Sequence, residues 1–246
     1  MSLTNKLFSL LGFAEPVSLK RFNGSNLLPE NVLLLSTNGQ ISADIQQMLT
    51  QLPINIIESL DHVSEKSIEA LIIDATDYID ESCYQNIFLR VQSSLKLLSH
   101  NARVLVIANS TSASQSAEQN AFSQALIGFS RSLAKEVGRK GSTANIILID
   151  NETLTTSNNI SAALESPMNF FLSAKSAFVS GQVLTINCQN KLLSKSSNEN
   201  NNQKVAVVTG AAQGIGAAIA SKLSDEGYLV IGVDIEPMKV QLINTM

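Results

Sequence analysis

The sequence predicts an α/β fold: a doubly wound parallel sheet, followed by a truncated second unit of the same kind. Three observations carry this. Short apolar runs alternate with amphipathic helical stretches from Val32 to Ile186. The polar run KSSNENNNQ, Lys195–Gln203, holds no apolar anchor and reads as a linker. Beyond it, Lys204–Asp234 restarts the strand–helix pattern behind a glycine-rich turn. The expected organisation is residues 1–193 as one domain with an N-terminal arm, 194–203 as the linker, and 204–246 as the first β-α-β of an unfinished unit.

Each element follows from its pattern. Val32–Leu35 is a buried strand. Ile41–Leu52 is a helix with Ile41, Ile45, Met48, Leu49 and Leu52 on one face. Leu71–Ile73 is a strand ending at Asp74, and Asn86–Leu98 a helix. Val104–Ile107 is a strand, Ala117–Gly138 a long helix, and Ala144–Ile149 a strand. Met168–Ser173 is a helix and Val183–Ile186 a last strand. Strands that are apolar throughout belong to a parallel sheet covered on both faces. In the arm, Leu3, Leu7, Leu10 and Leu11 share a helical face. It lacks the basic start and small-residue cleavage site of a signal peptide.

Composition narrows the function classes. The chain has 246 residues, 44% hydrophobic and 15% charged, which is ordinary for a globular protein with a sizeable core. A net charge of −4 argues against a nucleic-acid partner. No apolar run approaches a membrane span, and a cytoplasmic location is expected. Cys83 and Cys188 stand far apart with no CxxC pairing, which suits buried thiols in a reducing compartment. His62 and His100 have no metal-ligand spacing, so no metal site is expected.

The chemistry-bearing stretch is KVAVVTGAAQGIGAAIASKLSDEGYLVIGVD, Lys204–Asp234. An apolar strand, Val205–Val208, ends at Thr209-Gly210. Gln213, Gly214, Ile215 and Gly216 lead into a helix whose apolar face carries Ile219, Ala220 and Leu223. Gly227 stops the helix, and a second strand ends at Asp234. This order is the first half of a dinucleotide-binding Rossmann unit. Glycines let the backbone approach a pyrophosphate, and the helix start offers N–H groups and a positive dipole end. A carboxylate at Asp234 can accept both hydroxyls of an adenosine ribose. The candidate cofactor residues are therefore Thr209, Gly210, Gln213, Gly214, Ile215, Gly216 and Asp234. The alternative is a glycine-rich strand-to-helix turn with no nucleotide.

The first domain carries a faded copy of this stretch. Val32–Ser36 parallels Val205–Thr209, and ISADIQQML, Ile41–Leu49, parallels IGAAIASKL, Ile215–Leu223. Gln40 then takes the place of Gly214 and Ser42 that of Gly216, so the first turn has lost its phosphate cradle. Two unrelated α/β units of similar periodicity are the alternative.

The spacing TGxxxGIG, within TGAAQGIGAAIA, resembles the short-chain dehydrogenase/reductase family, and the 3-oxoacyl-acyl-carrier-protein reductases in particular. LIGFSRSLAKEVGRKG, Leu126–Gly141, resembles that family's active-site helix, and SAFVSGQVLTIN, Ser176–Asn187, its last loop and strand. The resemblance places Gln119 where the family's catalytic tyrosine belongs and Ser123 where its lysine belongs. Asn109 or Ser110 falls at the catalytic serine. An amide is no general acid and Ser123 has no charge, so no catalytic residue is expected in the first domain. The family's Asn-Ala-Gly segment is not found. A degenerate unit ahead of a fingerprint-bearing one resembles the high-molecular-weight members of these reductases, which carry a non-catalytic flavodoxin-like N-terminal domain. EPVSLKRF, Glu15–Phe22, resembles their N-terminal lead-in. The resemblance implies NADH as cofactor, with NADP less favoured because Asp234 repels a 2′-phosphate. It implies a β-ketoacyl thioester of acyl carrier protein or coenzyme A as substrate of the parent, and a homodimer. The competing reading is a non-catalytic module for dimer packing and substrate docking. An FMN carrier is disfavoured, since only Ser36-Thr37 follows Leu35 as a phosphate loop.

Overall fold

A computed structural model describes residues 17–24, 28–36, 41–57, 60, 63, 67–76, 81–112, 115–150, 160–187 and 204–235. The predicted linker, most of the arm with Leu3, Leu7, Leu10 and Leu11, and Cys188 and His62 lie outside the described residues. The chain divides into two units, Met1–Gln189 and Asn190–Met246.

The first unit is built on six parallel strands: β1 Asn31–Leu35, β2 Asn55–Ile57, β3 Ile68–Asp74, β4 Leu98–Asn109, β5 Thr143–Ile149 and β6 Val183–Ile186. Their order in the sheet is β2-β1-β3-β4-β5-β6. The chain leaves β1 for one side and returns to β3 on the other, so the order reverses between β1 and β3. In open α/β sheets this is where ligands bind, outside the carboxyl ends of the strands. Among the described residues the helices are α1 Ser42–Thr50, α2 Glu81–Leu95, α3 Ala117–Gly138 and α4 Ile160–Leu172.

Alternation along the strands splits the core in two. Leu33, Leu71, Ile73, Val104, Val106 and Ile146 point to the layer holding Ile87 and Val91 of α2 and Phe122, Leu126 and Leu133 of α3. Val32, Ala70, Ile72, Leu105, Ile107 and Ile147 point to the layer holding Ile45 and Leu49 of α1 and Leu164, Met168 and Phe171 of α4. Both faces of the central sheet are buried, so β3, β4 and β5 each carry an apolar run, Ala70–Ile73, Val104–Ala108 and Ile146–Ile149. Each such Val, Leu, Ile, Phe or Met side chain contributes roughly 1.5–3 kcal/mol on burial. The expected doubly wound α/β fold is the fold observed.

Several boundaries differ from expectation. The short edge strand β2 was not anticipated, because three residues leave no periodic signal. Helix α2 ends at Leu95, where Leu97 N–H turns back to the Ser94 carbonyl, and Leu98 opens β4 rather than closing the helix. Helix α4 starts at Ile160, eight residues before the expected Met168, with Pro167 inside it. The arm is held where it is described: Arg21 lies over the Phe178 ring and Lys175 over the Phe22 ring, 5.3 and 5.2 Å from the centroids.

The second unit, among the described residues, is β7 Val205–Thr209, α5 Gly214–Asp225 and β8 Leu229–Val233. The strands pair in parallel from Val205↔Leu229 to Thr209↔Val233. Helix α5 covers one face, shielding Val208, while Ala220 and Leu223 are half-buried. Ile219, expected on that covered face, is instead exposed beside Ile215, one turn away. The opposite sheet face, with Val205, Val207, Leu229, Ile231 and Val233, is exposed. A single helix can shield only one side of a two-stranded sheet.

Candidate functional site

The β7–α5 turn is shaped by glycines for two different reasons. Gly210 and Gly214 have φ of 65° and 60°, in the left-handed region, with nothing within 4 Å of where a Cβ would stand. Gly216 is different. A Cβ there would lie 2.0 Å from the Gly210 carbonyl oxygen and 2.5 Å from its carbon. Its bare Cα lets the first turn of α5 rest directly on the end of β7.

Helix α5 begins without a side-chain cap. Gln213, at the N-cap, is extended at φ −154° and makes no capping hydrogen bond. The first-turn N–H groups have no intrahelical acceptor. No cap side chain takes them either, so they and the helix dipole face outward at an anion-binding end. Ile215, in this first turn, is 81% exposed.

Asp234 follows β8 at the same end of the sheet. Its Oδ2 accepts the Ala212 N–H at 2.9 Å and its Oδ1 the Ile235 N–H at 2.7 Å. Gly210 N–H in turn donates to the Val233 carbonyl at 2.7 Å. The carboxylate is thereby fixed against the glycine turn. The structure places Thr209, Gly210, Gln213, Gly214, Ile215, Gly216 and Asp234 together at the carboxyl end of β7 and β8.

An adenine dinucleotide fits this donor set. Its pyrophosphate needs N–H groups and unhindered backbone, which α5 and the glycines provide, and its ribose needs an acceptor, which Asp234 provides. When bound, such a cofactor supplies hydride transfer. Among the described residues no group of three His, Cys, Asp or Glu side chains could hold a metal ion.

The matching corner of the first unit is built otherwise. At the carboxyl end of β1, the Ser36 hydroxyl is hydrogen-bonded to that of Ser42, the first residue of α1. Ser42 Oγ donates to Asp74 Oδ2 at 2.5 Å. Asp74 Oδ1 accepts the Thr76 N–H at 3.1 Å and its hydroxyl at 2.7 Å. Asp74 is 1% exposed, so this carboxylate is enclosed and satisfied from within the chain. Ser42 occupies the place that Gly216 holds in the second unit. Where the second unit offers an open cradle for an anion, the first already has one of its own. Arg90 Nη1 donates to the Ser36 carbonyl at 2.9 Å, and Asn109 Nδ2 to the Thr76 carbonyl at 2.6 Å. The sequence marks neither Asp74 nor Arg90 as part of a polar network. Its one legible signal is an acid closing a wholly apolar strand. The loop with Thr37, Gly39 and Gln40 lies outside the described residues.

Gln119 and Ser123 also have structural duties. Ser116 caps α3: its Oγ accepts the Gln119 N–H at 3.1 Å, while Gln119 Oε1 accepts the Ser116 N–H at 3.2 Å. This reciprocal pair is a capping box. Ser123 Oγ donates to the Gln119 carbonyl at 3.2 Å. Ser110 sits just past β4, its N–H given to the Ile149 carbonyl at 2.8 Å.

Fold and site together define a Rossmann-like α/β chain with one intact glycine fingerprint. The family model described as short chain dehydrogenase matches residues 204–245. No curated protein sequence matches the chain. Among solved structures, a double mutant of a Serratia marcescens short-chain dehydrogenase/reductase matches with a TM-score of 0.50 at 12% identity, over 65% of this chain and 96% of that one. A short chain dehydrogenase from Leptospira borgpetersenii, solved with bound NAD+, matches with a TM-score of 0.49 at 16% identity, over 66% of this chain and 92% of that one. At 12% identity the likeness to the Serratia marcescens structure is one of fold. No described helix is long and apolar enough to cross a membrane.

Proposed function

We propose that residues 204–235 are the adenosine-and-pyrophosphate half of an NADH site in a short-chain-dehydrogenase-type reductase of β-ketoacyl thioesters, and that the six-stranded unit is its non-catalytic companion. The observation that carries this is the β7–α5 turn: Gly216 against the Gly210 backbone, an uncapped helix start, and Asp234 tied to the turn through Ala212. The first-turn N–H groups bind the pyrophosphate. Asp234 accepts the ribose hydroxyls and repels a 2′-phosphate, so NADH is preferred over NADPH. The family match over residues 204–245 supports the class. The substrate class, on acyl carrier protein or coenzyme A, and the homodimer rest on the resemblance of the whole domain order.

The first unit contributes no acid–base chemistry in this reading. Gln119 is committed to the cap of α3, and its amide N–H is far too weak an acid to protonate a developing alkoxide. Its enclosed Asp74 network leaves packing and docking as its role.

The test is NADH oxidation with acetoacetyl-coenzyme A. The chain 1–246 is expected to be silent, since loss of a general acid removes factors of about 10²–10⁴. A protein carrying the complete second unit is expected to turn over. Turnover by chain 1–246 comparable to an intact reductase would refute the assignment.

A further inference from the structure

At the opposite, amino end of the first unit's sheet, β4 departs from regular pairing. Leu98 pairs with Ile68 and Arg103 with Ala70, so five steps along β4 match two along β3. The surplus bulges out as Ser99–Ala102, with Asn101 at φ 61°. Bulges of this kind re-aim side chains and cluster beside functional sites. Asn101 is locked in place: its Nδ2 donates to the Ser18 carbonyl at 3.0 Å and its Oδ1 accepts the Lys20 N–H at 3.1 Å. The arm is thereby drawn across the bulge. Beneath it lies a polar cleft of about 30 Å³, whose wall includes Lys20, Glu69, His100, Asn101, Arg103 and Leu172. A single water needs roughly 10–15 Å³ on this measure, so the cleft holds more than one water-sized atom.

Arg103 is the anomaly here. It is 4% exposed on a central strand of the sheet. Its Nε donates to the Ser173 carbonyl at 3.3 Å, but the buried Nη1 has no hydrogen-bond partner. Burial alone lowers its pKa, with no neighbouring charge contributing. Among the described residues no carboxylate pairs with it. Glu69, on the cleft wall, instead accepts the Glu30 N–H at its Oε2, at 2.8 Å. A buried charge without a partner is costly and needs a compensating anion. A guanidinium fork matches the planar or tetrahedral oxygens of carboxylate and phosphate.

We propose that this cleft is a binding site for a small oxyanion, a carboxylate or phosphate group, held by the Arg103 guanidinium with Lys20 on the same wall. Arg103 lies six residues before Asn109, the end of β4. That is about 20 Å along the strand from the carboxyl edge where dinucleotides bind. The cleft is lined by residues of the first unit alone.

The experiment uses the full chain. Inorganic phosphate and acetate are titrated separately against chloride at matched ionic strength, following the thermal midpoint and binding heat. Saturable binding of either ion at millimolar concentration is expected, and the better of the two distinguishes a phosphate from a carboxylate ligand. In Arg103→Met the ion-dependent rise in midpoint is expected to vanish. An equal rise in that variant, or no saturable binding of either ion to the wild type, would overturn the proposal. Should Arg103→Met fail to fold, the wild-type Arg103 Nε–H resonance decides: a saturable shift with the ion supports the site, and an unmoved resonance refutes it.

Discussion

Ser42 donates its hydroxyl to Asp74 across 2.5 Å, joining the first residue of α1 to the last residue of β3. A serine thus stands where the second unit has Gly216, and a carboxylate stands before the helix start. Removing the acid leaves two donors of buried Thr76 without their acceptor and leaves the Ser42 hydroxyl with Ser36 alone. Asp74→Ala is expected to destabilise the first unit by about 3 kcal/mol, at the upper end for unsatisfied buried groups. Asp74→Asn, which keeps an acceptor oxygen, should cost clearly less. Urea unfolding of the chain measures both, and equal costs would show that the network is not what Asp74 provides.

Gly216 and Gly210 are predicted to respond differently to alanine. At Gly210 the space is open, so the cost is that of a left-handed φ, about 1–2 kcal/mol. At Gly216 the new Cβ meets backbone that cannot swing aside, so α5 must lift from β7, at about 3 kcal/mol by the overpacking range. Hydrogen exchange of the Val205–Thr209 and Leu229–Val233 amides should loosen markedly in Gly216→Ala and much less in Gly210→Ala.

Asp234 couples cofactor choice to the turn. In a protein carrying the complete second unit, Asp234→Ala is expected to narrow the preference for NADH over NADPH by about tenfold or more, from lost ribose bonding and lost repulsion of a 2′-phosphate. The same variant frees the Ala212 N–H and should weaken both cofactors somewhat. A wild-type preference for NADPH would show the cofactor assignment to be wrong.

Tyr84 predicts an alkaline limit. Its ring stacks on Phe122 with centroids 4.0 Å apart, and its hydroxyl donates to the Phe122 carbonyl at 3.1 Å. Burial raises its pKa above the ordinary 10.0. The charged form is the disfavoured one, so the stability Tyr84 contributes is fully present below pH 10 and is lost as pH rises through the folded value. Tyr84→Phe should therefore flatten the fall in stability above pH 10, at about 1 kcal/mol lost near neutrality from the missing hydrogen bond. Denaturant melts at neutral and alkaline pH test this. A fall of unchanged slope in the variant would refute it.

The sequence by itself determined the layered α/β fold and the position of one fingerprint. Unbroken apolar runs such as Val104–Ile107, and helical stripes such as Ile41, Ile45 and Leu49, are local patterns that encode which face is buried. Glycine spacing in Thr209–Gly216, with an acid after the next strand, is likewise local. Tertiary structure alone decided what reaches across the sheet. Asp74 closes the apolar run Leu71–Ile73 in the sequence and bonds Thr76 two residues on, yet Ser42 reaches it only because β1 and β3 lie side by side in the sheet. Gly216 and Gly214 look alike in the sequence; one is required by close approach to Gly210 and the other by its φ. Arg103 stands in the sequence just before the apolar run Val104–Ile107, and only the folded sheet buries it, to 4% exposure. The Ser42–Asp74 bond and the burial of Arg103 join residues tens of positions apart, and the approach of Gly216 to Gly210 is set by how the turn closes; no local pattern in one chain records either.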